Sequence, residues 1–188
     1  MDGILPFLKP PGITSHDAVA ICRRILKEKR IGHSGTLDPM AYGVLPVFLG
    51  KATRLIEYTE GFDKTYVAEC KFGTFTDTED SSGQQVLPDK DMVLRDGVLL
   101  NEYIQSSELS DAMLKPTFDE LVNTLNTFIG VQNQRPSKYS AIKINGIRAY
   151  EYARKGIPVE LPLRQIHIKH IELIAYGFPY FTVRVTCS

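Results

Sequence analysis

The sequence predicts an α+β fold with about six or more strands and two or three helices. Two segments begin with capping boxes, at Thr14–Asp17 and at Thr117–Glu120, and continue with apolar residues at helical spacing. The dipeptide Asn145-Gly146 separates two short strand-like runs and is the strongest local signal for a β-hairpin. The chain closes with two strand-like segments, at 165–175 and 178–187.

The first 83 residues contain three predicted strands and two predicted helices. Pro46 interrupts the second strand, and we expect it at an edge or a bulge because proline cannot donate a ladder hydrogen bond. In chain order we expect a strand at 3–9, a helix from Thr14 to about Arg30, a glycine-punctuated loop at 32–43, a strand at Val44–Leu49, a short helix at Lys51–Tyr58, a strand at 64–76 and a polar turn at 77–83.

The second half begins with an acidic, weakly periodic segment at 84–116, which we interpret as an inserted surface lobe or long loop. The helix that starts at Thr117 is expected to end with Gly130 at its C′ position. After the Asn145-Gly146 hairpin, a short helix at Tyr150–Lys155 is expected to end at Gly156.

Composition excludes several classes of protein. The 188 residues are 43% hydrophobic and 23% charged, which is ordinary for a folded domain. No apolar run approaches the roughly 18 residues of a membrane span, and the N-terminus does not resemble a signal peptide, so we expect a cytoplasmic protein. The three scattered cysteines argue against a disulfide framework and against a zinc site. His167 and His170 lie in a strand-like run, and we expect no metal site there.

The net charge of zero hides an uneven distribution. Residues 1–60 carry 8 basic and 6 acidic side chains, residues 61–130 carry 5 and 13, and residues 131–188 carry 9 and 3. Two basic segments that flank an acidic middle fit a protein that binds nucleic acid on one face. On charge alone, solvated faces of mixed sign are a slightly better interpretation.

The densest chemical signal is the stretch Gly32–Pro39, which presents one carboxylate, Asp38, from a stiff loop. Pro39 restricts the backbone of Asp38, and the glycines permit close approach or positive φ. Such a carboxylate can act as nucleophile or general base. The alternative interpretation is that Asp38 is a turn residue with a local side-chain hydrogen bond. A phosphate-binding loop is a weaker alternative, because the lysine and the spacing of such loops are missing.

Four segments, in order, resemble motifs of the TruB family of tRNA pseudouridine synthases. They are GILPFLKPPGITS at 3–15, GHSGTLDPMAYGVLPVFLGKATR at 32–54, DKTY at 63–66 and PSKYSAIKINGIRAYEYARKG at 136–156. The resemblance covers nearly the whole chain except about 86–116. It implies a mixed, largely antiparallel sheet with flanking helices and a central RNA-binding cleft, the pseudouridine synthase fold.

The resemblance implies that uridine is isomerised to pseudouridine in the T-loop of tRNA, at position 55. Asp38 corresponds to the family's nucleophile, and attack on the sugar and attack on the base are both open. Tyr66 corresponds to the tyrosine that stacks on the base and assists proton removal from C5. His33 corresponds to the histidine that supports the flipped-out nucleotide. A flipped base needs a wedge and an aromatic platform, which agrees with these residue types.

The same resemblance sets further expectations. We expect Asp38 and Tyr66 to be the catalytic residues and His33 and Tyr66 to be the substrate-binding residues, and we expect no cofactor. We expect a monomer whose partner is tRNA. Lys9 is expected to be structural, although Leu8 stands where the family usually has an acid.

The family continues beyond the point that resembles Cys187-Ser188, with a segment whose arginine pairs with the catalytic aspartate. We therefore interpret residues 1–188 as a catalytic domain incomplete at its C-terminus, without the family's small C-terminal RNA-binding domain. We expect residues 1–188 alone to be inactive and to bind tRNA weakly. The rival functions are a guide-RNA-dependent synthase subunit that acts on ribosomal RNA, a non-catalytic RNA-binding or RNA-chaperone module and, distantly, a metal-dependent hydrolase.

Overall fold

The computed structural model describes residues 1–59, 61–86, 115–140 and 142–188. The chain divides into two units, Met1–Phe62 and Asp63–Ser188. Most of the acidic lobe predicted at 84–116 lies outside the described residues. In the described part of the chain, no helix is long and apolar enough to cross a membrane.

The first unit is built on a three-stranded antiparallel sheet of order β1-β3-β2. The capping box predicted at Thr14 is present, and its hydrogen bonds from Thr14 lower the pKa of Asp17. The elements are β1 (Gly3–Lys9), α1 (Ser15–Leu26), β2 (Ile31–His33), β3 (Gly43–Leu49) and a 3₁₀ helix (Gly50–Thr59).

The core of this unit lies between α1 and one face of the sheet. Helical spacing places one stripe of α1 inward, and strand alternation turns every second residue of β3 toward it. Burial of each large aliphatic side chain contributes roughly 1.5–3 kcal/mol. The buried residues of this cluster are Ala18, Val19, Cys22, Ile31, Leu45, Val47 and Leu49.

Pro46 does not place its strand at an edge, so that prediction is wrong: β3 is the central strand of the sheet. On the β1 side, Pro46 lies directly opposite Pro6, where neither residue needs to donate a hydrogen bond. On the other side, β2 ends at His33, and the carbonyl of Pro46 accepts from the Ser34 amide at 3.0 Å. The missing N–H of Pro46 therefore breaks no ladder bond inside the sheet.

Helix α1 ends at Leu26, four residues before the predicted end near Arg30. Lys27 adopts a left-handed conformation with φ of 51° and caps the helix, a role that glycine more often fills. The chain needs this early stop because β2 begins at Ile31. Arg30 then turns back and donates from Nε to the Thr53 hydroxyl at 2.8 Å.

The second unit contains a four-stranded antiparallel sheet of order β4-β9-β8-β5 and a two-stranded hairpin, β6-β7. The predicted closing strands are present as a long β8–β9 hairpin. The elements are β4 (Lys64–Lys71), α2 (Phe118–Asn126), β5 (Gly130–Gln134), β6 (Lys143–Ile144), β7 (Ile147–Arg148), α3 (Ala149–Arg154), β8 (Arg164–Gly177) and β9 (Tyr180–Cys187).

Local chemistry explains most of these elements. The hairpin turn has positive φ at both central residues, 50° at Asn145 and 84° at Gly146, as a type I′ turn requires. The capping box of α2 is present at Thr117 and Glu120. The prediction that Gly130 ends this helix is wrong, because α2 ends at Asn126 and Gly130 begins β5.

The α+β class and the antiparallel sheet are confirmed.

Candidate active site

The loop between β2 and β3, in the first unit, carries Asp38, and His33 is the last residue of β2 before this loop. Leu37 is partly buried and packs against the core cluster, so the loop is anchored one residue before Asp38. The Asp38 carbonyl accepts a hydrogen bond from the Ala41 amide at 3.0 Å, which closes a turn with Pro39 at its second position. The loop is thus ordered on both sides of the carboxylate.

Ser15, the first residue of α1, holds the backbone just before Asp38. Its hydroxyl accepts from the Leu37 amide at 3.0 Å and donates to the Leu37 carbonyl at 3.1 Å. The sequence analysis missed this residue. A signal was present, because Ser15 shares the inward stripe of the helix with Ala18, Val19 and Cys22. A polar residue in such a stripe needs buried hydrogen-bond partners.

The carbonyl of Pro39 is held just after Asp38. It accepts from the Gly12 amide at 2.7 Å and from Lys9 Nζ at 3.4 Å. The turn between β1 and α1 therefore contacts the loop on the C-terminal side of Asp38, as Ser15 does on the N-terminal side. Together these contacts restrict the direction in which the Asp38 side chain leaves the loop.

The side chain of Asp38 itself is exposed. Within residues 1–59, 61–86, 115–140 and 142–188, no side chain forms an ion pair with it and no group donates a hydrogen bond to its carboxylate. The side-chain turn bond that was the alternative interpretation is therefore not formed with any described residue. An exposed carboxylate on a restrained backbone is suited to nucleophilic or general-base chemistry.

Lys9 has a structural environment, as predicted. The residue is fully buried, and its Nζ donates to the carbonyls of Ile13 at 2.8 Å and Pro10 at 3.0 Å as well as to Pro39. No described carboxylate pairs with it, which agrees with the presence of Leu8 where the family usually has an acid. Lys9 therefore joins the end of β1, the start of α1 and the loop of Asp38 through backbone carbonyls.

We expect Lys9→Met to reduce the free energy of unfolding by about 2 kcal/mol, because carbonyls that accepted from a charged donor lose their partner. Met keeps the length of the side chain, so the change leaves little cavity. Urea unfolding measures the effect, and the matched control is Lys51→Met at an exposed lysine, where we expect less than about 0.5 kcal/mol. Equal stability of the two variants would show that relief from burying the ammonium cancels the lost bonds.

His33 lies at the end of β2, and its ring is tied to the loop. Its Nδ1 makes a short contact with the Gly35 carbonyl, which can only accept, so Nδ1 carries the proton. The other ring nitrogen, Nε2, is then an acceptor in the neutral ring. The neighbouring Ser34 hydroxyl contacts the Thr59 hydroxyl, which ties the loop to the 3₁₀ helix. The ring orientation of His33 is therefore set within the first unit.

Tyr66 lies in β4, in the second unit, directly opposite Val185 of β9. Tyr66 is 42% exposed, and its strand β4 lies at the edge of the four-stranded sheet. Strand alternation puts it on the same sheet face as Ala68 and Cys70, whereas Tyr180 of β9, paired with Lys71, lies on the opposite face. Tyr66 thus presents an aromatic surface from a rigid sheet.

The structure shows no metal-binding cluster among the residues it describes: no group of three or more His, Cys, Asp or Glu side chains could hold an ion there. His167 and His170 are both exposed on β8.

The antiparallel α+β fold of this chain matches the fold of two solved structures. The solved structure "Crystal Structure of a Cbf5-Nop10-Gar1 Complex" matches 98% of this chain and 39% of its own chain, with a TM-score of 0.64 at 26% identity. "Structure of H/ACA RNP bound to a substrate RNA containing 2'-deoxyuridine" matches 98% of this chain and 37% of its own, with a TM-score of 0.58 at 25% identity. The predicted fold is confirmed.

The model of the TruB family pseudouridylate synthases (N-terminal domain) matches residues 23–99 and 100–188. The chain belongs to this family. The "tRNA pseudouridine synthase B" of Heliobacterium modesticaldum is 44% identical over 94% of this chain and 50% of its own length. The protein of the same name from Dehalococcoides mccartyi (strain BAV1) is 45% identical over 100% of this chain and 55% of its own length. The chain spans about half the length of these curated relatives.

Proposed function

We propose that the protein isomerises uridine to pseudouridine in tRNA, at position 55 of the T-loop, with Asp38 as the nucleophile. The observation that carries the proposal is the exposed Asp38 carboxylate on a loop whose backbone is held on both sides by Ser15 and by Gly12 and Lys9. The family of the chain and the names of its relatives support the substrate.

The reaction breaks the bond between N1 of the base and C1′ of the ribose. The base rotates, a bond forms between C5 and C1′, the proton leaves C5 and N1 gains a proton. Asp38 supplies the electron pair that forms the covalent intermediate, by attack on either the sugar or the base. No redox partner is required, because substrate and product are isomers.

A uridine inside a folded loop must leave its stack before a carboxylate can reach it. We assign His33 to the support of the nucleotide outside its stack, because its ring is flat and held by Gly35. Tyr66 is assigned to stacking on the base and to proton removal from C5, because its exposed ring carries a hydroxyl. Stacking of a base on an aromatic ring contributes roughly 1–3 kcal/mol.

The basic segments are the proposed contacts to the RNA backbone. Arg24 on α1 and Lys27 at the C-cap of this helix are exposed, whereas Arg23 donates a hydrogen bond to the Ile31 carbonyl at 2.9 Å. In the second unit, the guanidinium carbons of Arg148 and Arg154 lie 6.0 Å and 5.2 Å from the ring centre of Tyr150. Surfaces on which arginine lies beside an aromatic ring commonly bind RNA.

RNA affinity should fall as salt concentration rises, because lysine and arginine contacts to phosphate release counterions. We expect Arg24→Glu and Lys27→Glu each to weaken tRNA binding and to reduce the slope of log affinity against log salt by about one. Filter binding at several salt concentrations measures both quantities.

The control for total charge is Lys115→Glu, an exposed residue of the acidic stretch 61–130, which should leave affinity and slope nearly unchanged. Asp119→Lys, on the same stretch, replaces a negative charge with a positive one, and it should not weaken tRNA binding. Equal losses from these variants and from the α1 variants would contradict the proposed RNA face.

The function is tested with an unmodified tRNA transcript and no guide RNA, with turnover and binding measured on the same samples of the full-length protein. Pseudouridine formation that disappears when the T-loop uridine is replaced by cytidine supports the proposal. The second candidate is a guide-RNA-dependent subunit, and the similarity to the Cbf5 and H/ACA RNP structures, at 26% and 25% identity, fits it only weakly. Turnover that occurs only on a guided ribosomal RNA fragment would establish that candidate, and binding without turnover on either RNA would establish a binding module.

A further inference from the structure

Ser15 is one of two polar residues that are buried in the described part of the chain; the other is Lys9. Its relative exposure is 3%, and it lies in the inward stripe of α1 beside the core cluster. A hydroxyl in such a place is stable only when both its donor and its acceptor functions are used. Both functions of Ser15 are used by the backbone of a single residue, Leu37.

These two bonds act on the peptide unit that leads into Asp38. The Leu37 carbonyl belongs to the same peptide plane as the Asp38 amide, so a hydrogen bond to that oxygen limits rotation of the plane. The bond from the Leu37 amide limits rotation of the preceding plane in the same way. The Ser15 hydroxyl therefore restricts the backbone torsions on both sides of Leu37.

The rest of the loop does not depend on Ser15. Leu37 also contacts the core through its side chain, and the Pro39 carbonyl keeps its bonds from Gly12 and Lys9. Loss of the Ser15 hydroxyl should therefore leave the loop folded but let the peptide before Asp38 rotate. A displacement of about 1 Å at a reacting group can cost about 100-fold in rate.

We propose that Ser15 is a positioning residue for Asp38: its hydroxyl sets the direction of attack of the carboxylate without touching the RNA. This inference rests on the proposed function of Asp38. The hydroxyl orients the peptide that precedes the nucleophile, and the helix that carries Ser15 is fixed by its own core contacts.

The test compares Ser15→Ala with Thr14→Ala in the full-length protein. Thr14 is the adjacent hydroxyl residue at the same helix end, but its bonds go to Asp17 and not to the loop. We expect Ser15→Ala to lower kcat on tRNA by about 10- to 100-fold, with KM within about threefold. Thr14→Ala removes the helix cap and should lower Tm while kcat stays unchanged. Equal kcat values for the two variants would overturn the inference.

Amide hydrogen exchange provides a readout that does not need turnover. Ser15→Ala should accelerate exchange of the Leu37 amide relative to the other core amides, and Thr14→Ala should not. An inactive wild-type protein would overturn the proposed function and leave this exchange comparison to decide whether Ser15 holds the loop. Unchanged exchange at Leu37 in Ser15→Ala would overturn the positioning role even if the wild-type protein is active.

Discussion

Replacement of Asp38 by Asn is expected to abolish pseudouridine formation, with a loss of at least about 1,000-fold in kcat, because an amide cannot supply the anionic electron pair. The amide has nearly the same shape, and the carboxylate makes no hydrogen bond or ion pair within the described residues. Stability and tRNA affinity should therefore change little, within about 0.5 kcal/mol for unfolding. Single-turnover assays and filter binding on the same preparation separate the two effects.

Asp119→Asn is the matched control for Asp38→Asn, since Asp119 is also an exposed carboxylate, on the first turn of α2. It should retain wild-type turnover. Normal turnover by Asp38→Asn would remove Asp38 from the mechanism. A loss of turnover that is matched by a loss of tRNA binding would assign Asp38 to RNA binding instead.

Tyr66 is expected to show the second large effect. Tyr66→Phe keeps the ring and loses the hydroxyl. We expect it to lower the rate of pseudouridine formation by about 100- to 10,000-fold, the usual contribution of a proton-transfer group. Tyr66→Ala also loses the stacking surface. It should therefore lower the rate of the chemical step and weaken tRNA binding by roughly 1–3 kcal/mol. The rate of the chemical step and the tRNA affinity are measured for both variants.

Tyr180→Phe is the control for these changes. Tyr180 is 47% exposed in the same sheet, close to the 42% of Tyr66, but it lies on the opposite face. It should keep wild-type activity. Equal rates for wild type and Tyr66→Phe would exclude the hydroxyl from proton transfer and leave Tyr66 as a stacking platform.

The elements that the sequence predicts well are those with local causes. Thr14 and Thr117 form the capping boxes that their spacing indicates. Asn145-Gly146 adopts the positive φ angles that the hairpin turn needs. These signals depend on a few neighbouring residues, so they can be recognised without knowledge of the tertiary structure.

The elements that the sequence predicts poorly depend on distant partners. Pro46 is compatible with a central strand only because Pro6 faces it and β2 ends at His33. Strand β5 begins at Gly130, which looked like the end of a helix, and it is stabilised by pairing with β8. Such pairings are fixed by register across the sheet, which local patterns do not reveal.

In the candidate site, too, features with local causes could be predicted and features that depend on distant residues could not. The loop of Asp38 could be recognised from its glycines and Pro39, because the glycines permit positive φ and Pro39 restricts the backbone of Asp38, both of which are local effects. Its support could not be recognised in the same way, since Ser15 and Lys9 reach Leu37 and Pro39 over 22 and 30 positions along the chain. The roles of Asp38, Tyr66 and His33 stay predictions until the variants are measured.

The most direct test of the proposed reaction uses tRNA transcripts that carry tritium at C5 of uridine. Formation of the bond between C5 and C1′ releases the C5 hydrogen, so each isomerised uridine releases its label to water. We predict tritium release by the full-length protein at the T-loop uridine alone, absent in Asp38→Asn. No release from any transcript, or equal release by wild type and Asp38→Asn, would contradict the account.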